Sequence, residues 1–175
     1  DLTDKAIKFV KEQQSAAPDK PFFLYLAYGA THAPHHAPKE FIEKYAGKYD
    51  KGWDAVRQEW FERQKALGII PQDATLAPRN PGVKAWEELT DTEKRLFARM
   101  QEVFAGFLEH TDYHIGRLIR ALKEIGAYEN TLIVLVSDNG ASPEGQLIGT
   151  WNEYKSFNGE LKSAEEEMAY IDKLG

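Results

Sequence analysis

Thr131-Leu132-Ile133-Val134-Leu135-Val136-Ser137-Asp138-Asn139-Gly140 is the stretch that decides how this chain reads. Aliphatic residues 132–136 run without a break into a serine, a carboxylate, a carboxamide and a glycine. A strand with one wet face alternates apolar with polar, and this run does not. It predicts a strand buried on both faces, the kind found inside a parallel sheet. In open α/β sheets, ligands bind just beyond the carboxyl ends of the strands. Asp138 and Asn139 lie at that end and offer two hard oxygen donors, which suit Ca²⁺ or Mg²⁺. Asn-Gly also marks hairpins between alternating strands. Here Ala141-Ser142-Pro143-Glu144-Gly145 downstream is no strand, so an end-of-strand metal site is the better reading.

A second run repeats the pattern upstream. Phe22-Phe23-Leu24-Tyr25-Leu26-Ala27-Tyr28 ends at Gly29 and leads into Ala30-Thr31-His32-Ala33-Pro34-His35-His36-Ala37-Pro38. Two polar clusters at the ends of two parallel strands tell more than either alone. If the strands are neighbours, His32 and Asp138 share a cleft. Histidine is the commonest acid or base near neutral pH, so His32 is the candidate catalytic residue. His35 and His36 lie past Pro34, farther from the strand end, and are weaker candidates.

Between the runs lies the longest predicted element. Thr90 and Glu93 match a capping box. Leu96, Met100, Val103, Phe107, Ile115, Leu118, Leu122 and Ile125 then keep a helical stripe, and Gly126 suits the position just past its end. Such a helix would cross a sheet face and deliver the chain to the second strand. His110 and His114 sit four apart on it. Asp112 projects about 160° away at roughly 100° per residue, so the three do not converge on a metal; a rim or core role is expected. Arg117, Arg120 and Lys123 read as solvated charges near a helix C-terminus. Residues 39–89 form a charged helical and irregular excursion holding Trp53, Trp60 and Trp86, of the kind that rims a site. The polar group Asn152, Glu153, Tyr154, Lys155 and Asn158 reads as a surface loop.

Composition narrows the class. The chain has 175 residues and a net charge of −6 with no long basic run, which argues against nucleic acid as a partner. Its apolar runs are too short to span a bilayer. With no cysteine, disulfides and cysteine zinc sites are excluded. No Gly-x-Ser-x-Gly elbow is present, which disfavours an α/β-hydrolase.

The ordered set of motifs resembles the arylsulfatases. Pro-Phe-Phe-Leu-Tyr leading to Thr-His-Ala-Pro is similar to their central strand and histidine loop. Ser137-Asp138-Asn139-Gly140 is similar to their second metal-binding motif. Gly47-Lys48-Tyr49-Asp50-Lys51-Gly52-Trp53-Asp54, the segment 104–112 and Phe157-Asn158-Gly159 resemble one bacterial-type subgroup. The resemblance implies an alkaline-phosphatase-like α/β sandwich with a mostly parallel central sheet flanked by helices. It implies hydrolysis of aryl or carbohydrate sulfate esters with a divalent cation, usually Ca²⁺. It makes Asp138 and Asn139 metal ligands, and gives His32 contact with the sulfate and a part in protonating the leaving oxygen. The family's nucleophile is a formylglycine made from a Cys/Ser-x-Pro-x-Arg motif, which these residues lack. The chain is therefore expected to be a central fragment of a sulfatase catalytic domain, inactive alone, with the formylglycine upstream. A related phosphoester hydrolase and a non-catalytic, sulfatase-like carbohydrate-binding protein are the alternatives.

Overall fold

A computed structural model describes residues 1–137, 139–140, 145–150, 152–160 and 162–175. The architecture is built on one helix. In chain order the helices are α1 (Leu2–Ala16), α2 (Lys39–Ile42), α3 (Gly52–Ala66), α4 (Asp91–Glu124), α5 (Glu153–Phe157) and α6 (Ala164–Met168), with single 3₁₀ turns between several of them. Helix α4 has 34 residues, which at roughly 1.5 Å per residue makes it about 50 Å long.

Its ends are set by the residues that predicted them. Glu93 N–H donates to Thr90 Oγ1 at 3.2 Å, and Thr90 N–H donates to Glu93 Oε2 at 2.8 Å. These bonds satisfy donors that the first helical turn would otherwise leave open. At the other end Gly126 takes φ +70°. Gly126 N–H donates to the Lys123 carbonyl and Ala127 N–H to that of Leu122. This pairing is the Schellman closure, and it needs a residue content in the left-handed region.

The core lies along the buried face of α4. Leu96 is fully buried, and Val103, Ala98, Ala105 and Leu122 are nearly so. Helices α1, α2 and α6 and the 3₁₀ turn at Glu43–Tyr45 pack on it. Helix α1 contributes Ala6 and Val10. Helix α2 comes so close that a Cβ on Gly106 would stand 2.8 Å from Ile42 Cα and 2.9 Å from its backbone nitrogen. Buried Glu102 accepts from Gly47 N–H at 2.7 Å and from Arg99 at 2.9 Å, so the charge is doubly partnered. In the excursion, Asp54 on α3 accepts from Trp86 N–H at 2.8 Å and from Arg79 at 2.9 Å. Trp86 packs on Gly52 and meets Trp53 edge to face at 5.1 Å.

The expected parallel sheet is not found. Among the described residues no residue is in a strand, and helices carry the fold. Residues 22–28 and 132–136 take no regular secondary structure, and among the described residues no backbone hydrogen bond pairs them with another segment. Burial on both faces fails as well. In 22–28 Phe22, Leu24, Leu26 and Tyr28 face inward, while Phe23 and Tyr25 are 88% and 82% exposed. Residues 132–136 are exposed throughout, Leu132 at 90%. The physical reason is that an apolar run reports a wish for burial and nothing about a partner. A helix closes its hydrogen bonds within itself, but a sheet needs a second segment that no local pattern specifies.

The close approach at Gly106 gives a paired prediction. Alanine gains about 1 kcal/mol over glycine in a helix interior. At Gly116 the added Cβ meets only the end of the Arg120 side chain at 3.5 Å, so Gly116→Ala should raise the thermal midpoint. At Gly106 it meets backbone, and overpacking costs about 1–3 kcal/mol. Gly106→Ala should lower the midpoint, and thermal denaturation of both variants tests the difference in sign.

Candidate active site

The loop after residues 22–28 is held from three sides. Before it, Tyr28 Oη and Thr3 Oγ1 are 2.9 Å apart, and Thr3 is buried on α1. Within it, the His35 ring meets the Phe104 ring of α4 edge on at 5.7 Å, and its Nε2 donates to the Thr31 carbonyl at 3.1 Å. After it, α2 docks on Gly106. His35 is thus an anchor of the loop.

His32 sits at the turn, its N–H donating to the Gly29 carbonyl at 3.0 Å. Its Nδ1 lies 2.7 Å from the Ala33 carbonyl. A carbonyl only accepts, so Nδ1 carries the hydrogen, and in that tautomer proton exchange falls to Nε2. The ring is half exposed. On its Nδ1 side, Oε2 of Glu153 stands 3.7 Å away, from the first residue of α5.

His32 lines a cavity of about 380 Å³ with His36, His110, His114, Tyr28 and Thr3. The helical pair that reads as a rim feature forms one wall. His114 Nε2 and His110 Nε2 are 3.0 Å apart, and Arg117 donates to His114 Nδ1 at 3.0 Å. Arg117 is held in turn by Asp4 of α1 at 2.6 Å. The guanidinium has no lone pair to accept with, which fixes the tautomers. His114 accepts at Nδ1, carries its hydrogen on Nε2, and gives that hydrogen bond to His110. Arg117 is therefore no solvated end charge.

The second predicted cluster is seen in part. Asp138 lies outside the described residues. Asn139 is exposed; its Nδ2 donates to the Gly140 carbonyl at 2.7 Å, and Ser137 Oγ donates to its carbonyl at 3.0 Å. Asn139 Oδ1 remains a hard oxygen donor, consistent in type with Ca²⁺ or Mg²⁺, but such an ion takes about six to eight oxygens. Among the described residues no group of three or more His, Asp or Glu could hold a metal ion. The donors present are thus a partial set. A second cavity, of about 340 Å³, is lined by Ser156 of α5 together with Trp53, Phe97, Leu89 and Leu147.

Glu153 is the residue that sequence reading placed on the surface and the structure places at His32. Its signal was local and weak: Asn152 Oδ1 accepts from Tyr154 N–H at 3.2 Å, capping a helix of only five residues. No periodicity announces so short a helix.

The Sulfatase family model matches residues 1–169 of the chain. An uncharacterised sulfatase of Schizosaccharomyces pombe is 42% identical over 144 residues, covering 82% of this chain and 26% of the relative. An arylsulfatase of Klebsiella aerogenes is 39% identical over 125 residues, covering 71% of this chain and 27% of the relative. Human iduronate 2-sulfatase is 25% identical over 166 residues, covering 89% and 28%. The chain thus spans about a quarter of the length of these curated relatives.

The histidines also set how stability answers to pH. Burial pushes the pKa of His35, His110 and His114 down, and the Arg117 charge adds to this at His114. In the unfolded chain a histidine titrates near about pH 6.5. Below that value the unfolded chain binds more protons than the folded one, so stability is full above about pH 6.5 and falls as the pH drops. The carboxylates whose pKa is lowered, Asp4 by Arg117, Asp54 by the Trp86 N–H, Glu93 by the Thr90 N–H and Glu109 by Lys44, lose their contribution only below about pH 5. The interval between belongs to the histidines. The urea midpoint should be lower at about pH 5 than at about pH 7, and His35→Phe, which keeps a ring against Phe104, should shrink the drop. Equal midpoints at the two pH values would contradict the assignment.

Proposed function

The chain belongs to the sulfatase family, and on that premise we propose that it carries one wall of the active centre of a sulfuric ester hydrolase. The reaction is the hydrolysis of an aryl or carbohydrate sulfate ester. The observation that carries this reading is His32. Its Nδ1–H is engaged by the Ala33 carbonyl at 2.7 Å, and the ring lines the cavity, so proton exchange there falls to Nε2. That is the arrangement a general acid needs. His32 gives a proton from Nε2 to the oxygen of the departing alcohol as the sulfur–oxygen bond breaks.

Sulfatases generally use a divalent cation and a formylglycine. Asp138 and Asn139 are proposed as two of the cation's ligands, and a cation there would neutralise charge on the sulfate group. The residues of this chain have narrower tasks. His35 and Tyr28 hold the loop, and the Arg117–His114–His110 chain keeps two neutral rings along the cavity wall. The cavity under Trp53 and Phe97 has room for a ring of the alcohol part. The sulfatase names of the relatives favour sulfate over phosphate esters, and His32 favours an enzyme over a carbohydrate-binding protein.

Kinetics of the full-length protein test the roles. Removing a general acid costs about 10²–10⁴-fold in rate. His32→Ala should lose that on a sulfate ester of a weakly acidic phenol and far less on nitrophenyl sulfate, whose alcohol leaves without help. Bound metal should stay near wild type. Asp138→Ala should lose activity and metal together, and Asn139→Ala should weaken metal binding. His36→Ala should be mild. Equal losses for His32→Ala on both substrates would make its role sulfate positioning instead.

A further inference from the structure

Glu153 is 14% exposed, and its Oε2 is buried with no hydrogen-bond partner among the described residues. A buried carboxylate oxygen without a donor is costly, and such a group calls for an explanation in terms of a task. The group it faces is His32, Nδ1 at 3.7 Å.

The other charged and titratable groups around this cavity come from three directions. Asp1 precedes α1, His36 lies on the loop, and His110 and His114 stand on α4. Asp1 Oδ2 is already paired with Lys5 at 2.8 Å. His110 and His114 hold each other, with Arg117 on their outer side. Among the described residues, Glu153 on α5 is a carboxylate that faces His32, at 3.7 Å from its Nδ1.

We propose that Glu153 is a positioning residue for His32, helping to hold the ring with its Nδ1–H on the Ala33 carbonyl and stabilising the ring while it carries the proton it will donate. At 3.7 Å the carboxylate acts through its charge, while the Ala33 carbonyl supplies the direct hydrogen bond. A charge acts more strongly in a part-buried site than in water. The step balances within the pair. The Nε2–H bond breaks as the O–H bond of the leaving alcohol forms, the imidazolium becomes imidazole, and Glu153 neither gives nor takes a proton in the step. The inference rests on the reading of His32 as the general acid.

The test compares wild type, Glu153→Gln, His32→Ala and the double variant in the full-length protein. Substrates are nitrophenyl sulfate and a sulfate of a less acidic phenol. Glutamine keeps the shape and removes the charge. Glu153→Gln should lower kcat on the weaker leaving group by about tenfold or more, at the low end of a lost general acid, with KM little changed. The alkaline limb of its pH profile should move to lower pH. The double variant should be no slower than His32→Ala, because the two residues act as one unit. Glu153→Asp, with the charge retained farther off, should fall between wild type and Glu153→Gln. NMR titration of the His32 ring without substrate should show its midpoint at lower pH in Glu153→Gln. Losses that are equal on both substrates, additive with His32→Ala and without movement of the pH profile would overturn the proposal, as would an unmoved His32 titration. Absence of any sulfate ester turnover by wild type would sink the functional reading, and the titration would still decide whether the pair exists.

Discussion

The histidine loop can lie on α4 only because Gly106 has no side chain. Helix α2 follows the loop directly, and its backbone at Ile42 occupies the place where a Cβ would be. That contact fixes the far end of residues 29–38. The near end is fixed by Tyr28 on Thr3 and the middle by His35 on Phe104. Three contacts of different chemistry, a backbone approach, a hydroxyl pair and an aromatic edge, thus place one ring. None of them touches His32 itself. The loop that carries the ring is thus fixed by its neighbours, and the ring itself is held at Nδ1 by the Ala33 carbonyl.

Around that ring the electrostatics run in opposite directions. On the α4 side, burial pushes the pKa of two histidines down, and at His114 the charge of Arg117, itself paired with Asp4, adds to this. On the α5 side stands a carboxylate. The cavity therefore has one wall that resists added protons and one wall that welcomes a cation. Opposed environments of this kind let residues of the same type take different protonation states in one site.

Local signals in the sequence were legible where the physics is local. Thr90 with Glu93 and the glycine at 126 mark the ends of α4 because caps are made by residues within a turn of the end. The apolar stripe of α4 is legible for the same reason. The motifs around His32 and Asp138 led to the sulfatase family, which the family model over residues 1–169 shows. The sheet was misread because residues 132–136 look buried and are exposed. The partners of Glu153 and Arg117 were invisible because they lie far off in sequence: Arg117 meets a residue 113 positions away. A charge carries no mark of whom it will meet. His110 and His114 fell between these cases. Their spacing brings the rings together, and only the arginine decides what the pair does.

The alternation in residues 22–28 has a consequence for chain length. Inward Phe22, Leu24, Leu26 and Tyr28 trade places with outward Phe23 and Tyr25 at every step of one. Tyr28 is tied to Thr3, so it cannot follow a shift without breaking that link. One residue inserted within the segment would turn the first half inside out, whereas two would restore each face and add only a longer bow. Drift in length along this stretch of the family should therefore come in even steps, with odd ones absorbed in the loop at 15–21.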